Sequence, residues 1–162
     1  MNNLEKFTRW FVIPVSKLKE IPNGDGAFAA MSIGCGLCER YCRILAESQD
    51  DWTDKTFIGK AADEMKVPKD VFTDFWDVFR NGIQHQMSPK WRKGNGQNWK
   101  PYKWSISSAF AVVPEIRKNR FGEDVICIDP WKFTEFWISK FLTEPAKLDQ
   151  AVHHGFGDIS EG

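Results

Sequence analysis

The stretch KDVFTDFWDVFRNGIQHQ, residues 69–86, carries the strongest structural signal in the sequence. Its large apolar side chains recur at intervals of three or four, at Phe72, Phe75, Trp76, Phe79 and Ile83. This spacing places them on one face of an α-helix, and other helices must cover that face. Pro68 favours the first turn of this helix, where its missing N–H leaves no partner unpaired.

Three more helices are predicted before this stretch. Residues 4–20 form an amphipathic pattern that Pro14 is expected to kink or split. Residues 27–47 form the longest helical pattern, and residues 54–65 form a third. Four helices are therefore expected before residue 87.

The last third of the chain combines two strands with one more helix. The segments SISSAFAVVPEI (105–116) and DVICI (124–128) read as strands joined by RKNRFGE, whose glycine suits a hairpin turn. Asp129 followed by Pro130 is typical of a helix start. The buried side of that helix is expected from six large residues: Trp131, Phe133, Phe136, Trp137, Phe141 and Leu142.

These patterns predict a mainly α fold, a bundle of four to five helices with a small inserted β-hairpin. One domain is expected over residues 1–148, since no repeat or linker divides it. It would include a basic loop at 88–104 and the hairpin at 105–128, and residues 149–162 are expected to form a mobile tail.

Composition narrows the setting of the protein. The chain has 162 residues and 42% hydrophobic residues, enough for a proper core. Its 22 basic and 22 acidic residues balance, so no global field attracts nucleic acid or membrane. Residues 1–10 lack the apolar core of a signal peptide, and the longest weakly polar run, 27–38, is too short to span a bilayer. We expect a cytoplasmic protein with no membrane partner.

Cys35, Cys38 and Cys42 superficially resemble a C-x-x-C motif with an extra ligand. Their spacing instead places all three sulfurs on one stripe of the second helix, which favours core packing over metal or redox chemistry. The small neighbours Ala29, Ala30, Gly34 and Gly36 would let another helix approach closely. We expect buried, unbridged thiols and no metal site.

Arg80 and His85 are not needed for the apolar stripe of residues 69–86. In a regular helix, residues five apart differ by about 140° around the axis and about 7.5 Å along it. They would lie on opposite flanks of the stripe, so the two side chains of one chain are poorly placed to act on the same ligand. Two chains across a twofold axis could place each arginine beside the histidine of the other chain. Alternatively, Arg80 reaches to solvent and His85 favours the helix C-terminus by its charge.

Arg80, Asn81 and His85 spell R-N-x-x-x-H, which resembles the R-x-x-x-x-H signature of the HEPN superfamily. The phrase FRNGIQHQ is also similar to one in uncharacterised bacterial proteins of this kind. The resemblance covers roughly residues 27–86 and the last helix. It implies a HEPN-like bundle that dimerises.

Many members of that superfamily are metal-independent endoribonucleases of toxin–antitoxin or defence systems, and others have lost activity. The resemblance therefore implies a ribonuclease without a cofactor, acting on single-stranded RNA as a homodimer, with an antitoxin or regulatory protein as a further candidate partner. The alternative is a non-catalytic dimerisation or interaction module.

The residue types suit metal-free RNA cleavage. RNA carries its own nucleophile, the ribose 2′-hydroxyl, so the protein must supply a proton shuttle and charge stabilisation. His85 has the side chain for the first role and Arg80 for the second. Asn81 either orients the pair or makes a local surface bond.

The segment after the motif adds a candidate RNA-binding surface. PKWRKGNGQNWKPYKW, residues 89–104, alternates cations with aromatic residues and has no acidic residue. Cations can follow phosphates while aromatic faces stack on unpaired bases. The candidate residues are Lys90, Trp91, Arg92, Lys93, Trp99, Lys100, Tyr102 and Lys103. The alternative is a surface loop that its tryptophans attach to the bundle.

Overall fold

The computed structural model describes residues 2–46, 54–90, 92–93 and 100–153. The fold is mainly α with a small sheet, as predicted. The described ranges contain six helices: α1 (Asn3–Phe7, Thr8–Val12 and Ile13–Lys19 in succession), α2 (Ala27–Leu45), α3 (Asp54–Met65), α4 (Lys69–Phe75, Trp76–Asn81 and Gly82–Gln86 in succession), α5 (Pro130–Thr143) and α6 (Pro145–His153).

α1 begins with a reciprocal cap. The Asn2 side chain accepts from the Glu5 N–H at 2.8 Å, and the Glu5 carboxylate accepts from the Asn2 N–H at 2.8 Å. The helix continues through Pro14, and the residues before it, Thr8–Val12, form a π turn. Widening the turn accommodates the proline, so α1 is not split.

α2 and α5 pack closely because Gly34 removes a side chain between them. A Cβ at Gly34 would lie 2.6 Å from Thr134 Oγ1. That hydroxyl donates within the interface, 2.8 Å from the carbonyl oxygens of both Ala30 and Pro130. The predicted close helix approach is confirmed for Gly34 and Ala30. It is wrong for Ala29 and Gly36, which are exposed on the other side of α2.

α5 begins where expected, since the Asp129 carboxylate accepts from the N–H groups of Trp131 and Lys132. The prediction of which α5 residues are buried is partly wrong. Phe133, Trp137 and Phe141 are fully buried, whereas Leu142 is 39% exposed and Trp131 and Phe136 are half-buried. Consecutive positions on a helix face different directions, so Leu142 cannot share the side of Phe141.

α4 buries the whole predicted stripe: Phe72, Phe75, Trp76, Phe79 and Ile83. Its middle segment, Trp76–Asn81, is a π turn that the periodicity does not predict. Single π turns interrupt α-helices at many functional sites.

Five short strands occur in the described residues. β1 (Arg92–Lys93) pairs antiparallel with β2 (Lys100–Pro101). A second sheet has the order β3 (Trp104–Ile106), β5 (Asp124–Ile128), β4 (Glu115–Lys118). The first pair lies in the predicted basic loop, and its two-residue strands are too short to produce an alternating pattern.

The β4–β5 hairpin confirms the predicted turn, in which Gly122 adopts a φ of 75°. The predicted single strand over residues 105–116 is wrong. A turn interrupts it, because the Phe110 N–H donates to the Ser107 carbonyl and the Ser107 hydroxyl accepts from the Ala109 N–H. The first part becomes β3, parallel to β5.

α6 extends the regular structure beyond the predicted domain boundary at residue 148. Leu148 is buried, 2% exposed, and the helix continues to His153. The predicted boundary at residue 148 thus falls inside this helix, and residues 154–162 lie outside the described part of the chain.

All four cysteines, Cys35, Cys38, Cys42 and Cys127, lie within the described ranges, are buried and form no disulfide. The predicted burial of the three α2 thiols is confirmed. Burial raises the pKa of the Cys35 and Cys38 thiols well above the ordinary value.

Of the helices in the described residues, none is long and apolar enough to span a membrane.

Candidate functional site

A cleft of about 550 Å³ opens between α2, α3 and α4. All three residues of the R-N-x-x-x-H motif line it: Arg80, Asn81 and His85. The other lining residues are Glu39 from α2, Phe57 and Ile58 from α3, Thr73, Trp76 and Asp77 from α4, and Lys90. The cleft joins a partly apolar wall to charged groups of both signs.

The expectation that Arg80 and His85 lie on opposite flanks of α4 assumed uniform α geometry. Arg80 instead belongs to the π turn, whose hydrogen bonds join residues five apart rather than four. That turn ends at Asn81, and the segment from Gly82 to Gln86 is α-helical again. Both side chains border one cleft within a single chain.

Contacts on several sides hold the Arg80 guanidinium. Its Nη2 lies 3.0 Å from Glu39 Oε2, and its Nη1 donates to Asn81 Oδ1 at 3.1 Å. Its Cζ lies 5.7 Å from the centre of the Trp76 ring. Its Nε is buried and has no hydrogen-bond partner among the described residues. The guanidinium is oriented and keeps unused donor capacity.

Asn81 belongs to a second network, centred on Asp77. Its Nδ2 donates to Asp77 Oδ1 at 3.2 Å, and Lys90 Nζ donates to the same oxygen at 2.6 Å. The Tyr102 hydroxyl donates to Asp77 Oδ2 at 3.1 Å. Burial raises the pKa of Asp77, but these hydrogen bonds and the Lys90 charge outweigh it, so the pKa is lowered. Asn81 thus connects Arg80 to an ionised carboxylate.

The Tyr102 hydroxyl is a weaker acid here than an ordinary tyrosine. Burial and the negative charges of Asp77 and Asp74 raise the pKa of its hydroxyl. Its hydroxyl therefore stays protonated and acts as a hydrogen-bond donor to Asp77.

His85 is exposed near the end of α4. The helix stops at Met87, which adopts a left-handed φ of 58°. The chain then folds back across Gly82, where a Cβ would lie 2.5 Å from the Lys90 nitrogen. The Lys90 N–H donates to the Val78 carbonyl at 2.9 Å. Gly82 therefore permits the close return that brings Lys90 into the cleft beside the motif.

The predicted RNA-binding residues separate into three groups. Lys90 and Tyr102 contact Asp77, as described, and Lys103 forms an ion pair with Glu123 at 3.2 Å. Arg92, Lys93 and Lys100 lie on the paired strands β1 and β2. Trp91 and Trp99 lie outside the described residues.

Glu39 is the main site residue that the sequence did not reveal. Its Oε1 lies 2.9 Å from Arg43 Nη2, and its Oε2 binds Arg80. Burial raises the pKa of Glu39, but hydrogen bonds and charges from Arg43 and Arg80 outweigh it and leave the pKa lowered. An E-x-x-x-R spacing on a helix is common on solvated surfaces, so only the contact with Arg80 distinguishes it.

Within the described ranges, no group of three or more His, Cys, Asp and Glu side chains is placed to hold a metal ion. The cleft groups offer instead fixed hydrogen-bond donors and one exposed imidazole, an arrangement suited to an anionic ligand.

Comparisons of the chain with protein-family models, curated proteins and solved structures give no match.

Proposed function

We propose that the protein is a metal-independent endoribonuclease whose active site is the cleft around Arg80, Asn81 and His85. One observation carries the proposal: the three residues of the R-N-x-x-x-H motif, which resembles the HEPN signature, line the same cleft. The mainly α fold is of the kind that the resemblance implies.

His85 is the proposed proton shuttle. It is exposed at the cleft, where RNA can reach it, and an imidazole can both accept and donate a proton. It takes the proton of the ribose 2′-hydroxyl as that oxygen attacks the adjacent phosphorus. The O5′–P bond then breaks, a 2′,3′-cyclic phosphate forms, and the protonated His85 gives its proton to the leaving 5′-oxygen.

Arg80 stabilises the charge on the phosphorane oxygens in this scheme. A guanidinium remains charged and presents several N–H donors in a plane. Glu39, Asn81 and the Trp76 ring fix its orientation before substrate binds. Asn81 therefore acts as a positioning residue, through Arg80 and Asp77.

The first prediction concerns His85→Ala. Removing the proton shuttle should lower the cleavage rate about 10²–10⁴-fold and leave RNA affinity close to that of the parent. The measurement is cleavage of single-stranded RNA in EDTA, with binding measured in parallel. Gln84→Ala is the matched control, because Gln84 is the exposed neighbour of His85 on the same segment.

Arg80→Ala should weaken both binding and cleavage, because the guanidinium contacts phosphate in the ground state and in the transition state. Full cleavage by His85→Ala would assign the activity to another site or to a contaminant. A parent protein that cuts no RNA in any of these assays would contradict the proposed activity.

The second candidate function is a non-catalytic dimerisation or interaction module. It is favoured by the ion pair between Arg80 and Glu39 of the same chain, which is also typical of a structural network. In that case Arg80→Ala would lower stability or partner affinity, and RNA would neither bind nor be cut.

The biological role that we propose is that of a cytoplasmic toxin or defence effector. Single-stranded RNA is the proposed substrate, a homodimer the proposed assembly, and an antitoxin or regulatory protein the proposed partner. No cofactor takes part in this scheme, because the RNA supplies the nucleophile.

A further inference from the structure

Asp77 lies in the π turn of α4 and lines the cleft, but it is not part of the R-N-x-x-x-H motif. Its carboxylate accepts hydrogen bonds from three separate parts of the described chain. Asn81 Nδ2 and Lys90 Nζ lie 3.2 and 2.6 Å from Oδ1, and the Tyr102 hydroxyl lies 3.1 Å from Oδ2. One side chain therefore contacts the motif, the segment that follows α4 and the segment that precedes β3.

The charge of Asp77 dictates which way the Asn81 amide faces. Burial raises the pKa of Asp77, but its hydrogen bonds and the Lys90 charge outweigh burial and lower the pKa, so the group is ionised at neutral pH. An ionised carboxylate only accepts hydrogen bonds, so Asn81 must present its NH2 group to Asp77. The amide oxygen is then turned to Arg80, whose Nη1 lies 3.1 Å from it. Asp77 thus orients Arg80 through Asn81.

The same carboxylate holds both ends of the basic segment. Lys90 and Tyr102 flank the paired strands β1 and β2. A two-stranded ribbon this short is marginally stable by itself, so contacts at its base help to fix where it lies. These contacts include the two hydrogen bonds to Asp77 and the one from the Lys90 N–H to the Val78 carbonyl, which is 2.9 Å long.

An acidic side chain is unusual at a site for RNA, because it faces the phosphates with like charge. The Asp77 side chain is 31% exposed and forms an ion pair with Lys90, so the two charges offset each other. The pair neither attracts nor repels RNA strongly. The place of Asp77 in the cleft is therefore explained by the side chains that it holds.

We propose that Asp77 is a positioning residue of the candidate active site. It orients Arg80 through Asn81, and it holds Lys90 and Tyr102, the two ends of the basic segment, against the cleft. The first contact serves the cleavage step and the second serves RNA binding. This inference deepens the proposed function and rests on it for the identity of the substrate.

Asp77→Asn tests the contact with Asn81. The new amide keeps the size of the side chain but carries its own NH2 group, so it no longer dictates the orientation of Asn81. With saturating single-stranded RNA in EDTA, we expect single-turnover cleavage roughly 10–100-fold slower than that of the parent. Asp63→Asn is the matched control, because Asp63 is exposed on α3, and it should cleave RNA like the parent.

The double variant Asp77→Asn, Asn81→Ala distinguishes action through Asn81 from two separate effects. If Asp77 acts through Asn81, the double variant should cleave no more slowly than the slower of the two single variants. Urea unfolding checks that each variant is folded. Tyr102→Phe, which leaves the carboxylate in place, tests the proposal if Asp77→Asn does not fold.

Tyr102→Phe keeps the aromatic ring and removes the hydroxyl that contacts Asp77. The binding probe is a fluorescein-labelled single-stranded RNA with every ribose 2′-O-methylated, which prevents cleavage. We expect roughly three- to tenfold weaker binding. The slope of log affinity against log salt should not change, because no cation is lost. Tyr41→Phe is the matched control, since the Tyr41 hydroxyl donates to the Glu144 carboxylate at 2.6 Å, outside the cleft.

The outcomes separate the positioning role from the enzymatic activity. If the parent cuts RNA and Asp77→Asn cuts it as fast, or if the losses multiply in the double variant, the action of Asp77 on Arg80 is overturned and the ribonuclease remains. If no protein cuts RNA but Tyr102→Phe binds the probe more weakly at an unchanged salt slope, the enzymatic activity is overturned and the contact of Asp77 with the basic segment stands. A Tyr102→Phe protein that binds like the parent, or a parent that does not bind the probe, overturns that contact as a determinant of RNA binding.

Discussion

Glu39 binds two arginines at once, one on its own helix and one on α4. The contact with Arg80 joins residues 41 positions apart and fixes the guanidinium at the cleft. Because the pKa of Glu39 is lowered in the folded state, its ionised form favours folding. The same carboxylate therefore contributes to stability and to the geometry of the site.

The second prediction concerns the pH dependence of this contribution. A carboxyl group with a lowered folded pKa stabilises the protein above its unfolded pKa, here the ordinary value of 4.5, and loses that effect as pH falls through the folded pKa. Glu39→Gln should therefore be destabilised relative to the parent at pH 7, and the difference should shrink below pH 4.5. Urea unfolding of both proteins at a series of pH values measures this difference in the free energy of unfolding.

Glu20→Gln is the control for the pH experiment. Glu20 pairs with Lys17 on exposed α1, with both side chains more than half exposed, and such surface pairs contribute little. The free energy of unfolding of Glu20→Gln should equal that of the parent at every pH. A Glu39→Gln protein that does the same would show that the carboxylate is not coupled to folding.

At the scale of elements, α2 holds two glycines with opposite surroundings. Gly34 faces α5, where Thr134 is fixed by two hydrogen bonds, and Gly36 faces open space two residues later. One glycine serves helix packing, and the other lies where a side chain would meet no neighbour.

The third prediction compares these two positions. Gly34→Ala should destabilise the protein by about 1–3 kcal/mol, because its Cβ would lie 2.6 Å from a hydroxyl that cannot move away. Gly36→Ala should stabilise it by up to about 1 kcal/mol, since alanine favours the helix. Chemical denaturation of both variants measures the difference. Equal effects at the two positions would contradict the close α2–α5 packing.

At the scale of the whole molecule, the end of α4 presents exposed groups beside the cleft. His85 is exposed, and Met87, which ends the helix, is 84% exposed. We propose that this end lies beside a twofold axis, so that each chain contributes His85 to a shared groove. Isologous contact of this kind is the commonest symmetry of soluble oligomers.

The fourth prediction follows from that assembly. Light scattering at micromolar concentration should give twice the 18.7 kDa mass of the chain. Met87→Glu should shift the protein to monomer, because it places like charges across the axis. Phe121→Ser is the control, since Phe121 is 70% exposed at the β4–β5 turn. A parent that is monomeric at this concentration would remove the basis for a shared groove.

The sequence by itself determined the helices and the motif. The stripe of α4, the cap at Asp129 and the turn at Gly122 are readable because each depends on neighbours a few positions away. Arg80, Asn81 and His85 were singled out because R-N-x-x-x-H resembles the R-x-x-x-x-H signature. The interruption at Ser107 and the two-residue strands were missed, because so few residues leave no periodic signal.

Only the tertiary structure decided what surrounds the motif. Glu39 and Asp77 occupy helix positions that a sequence reads as ordinary solvated charges, and only their contacts with Arg80 and with Asn81 and Lys90 distinguish them. The π turn depends on which of two similar hydrogen-bond patterns the packed helix adopts. Periodicity along one helix cannot report these features, because each arises where separate elements meet.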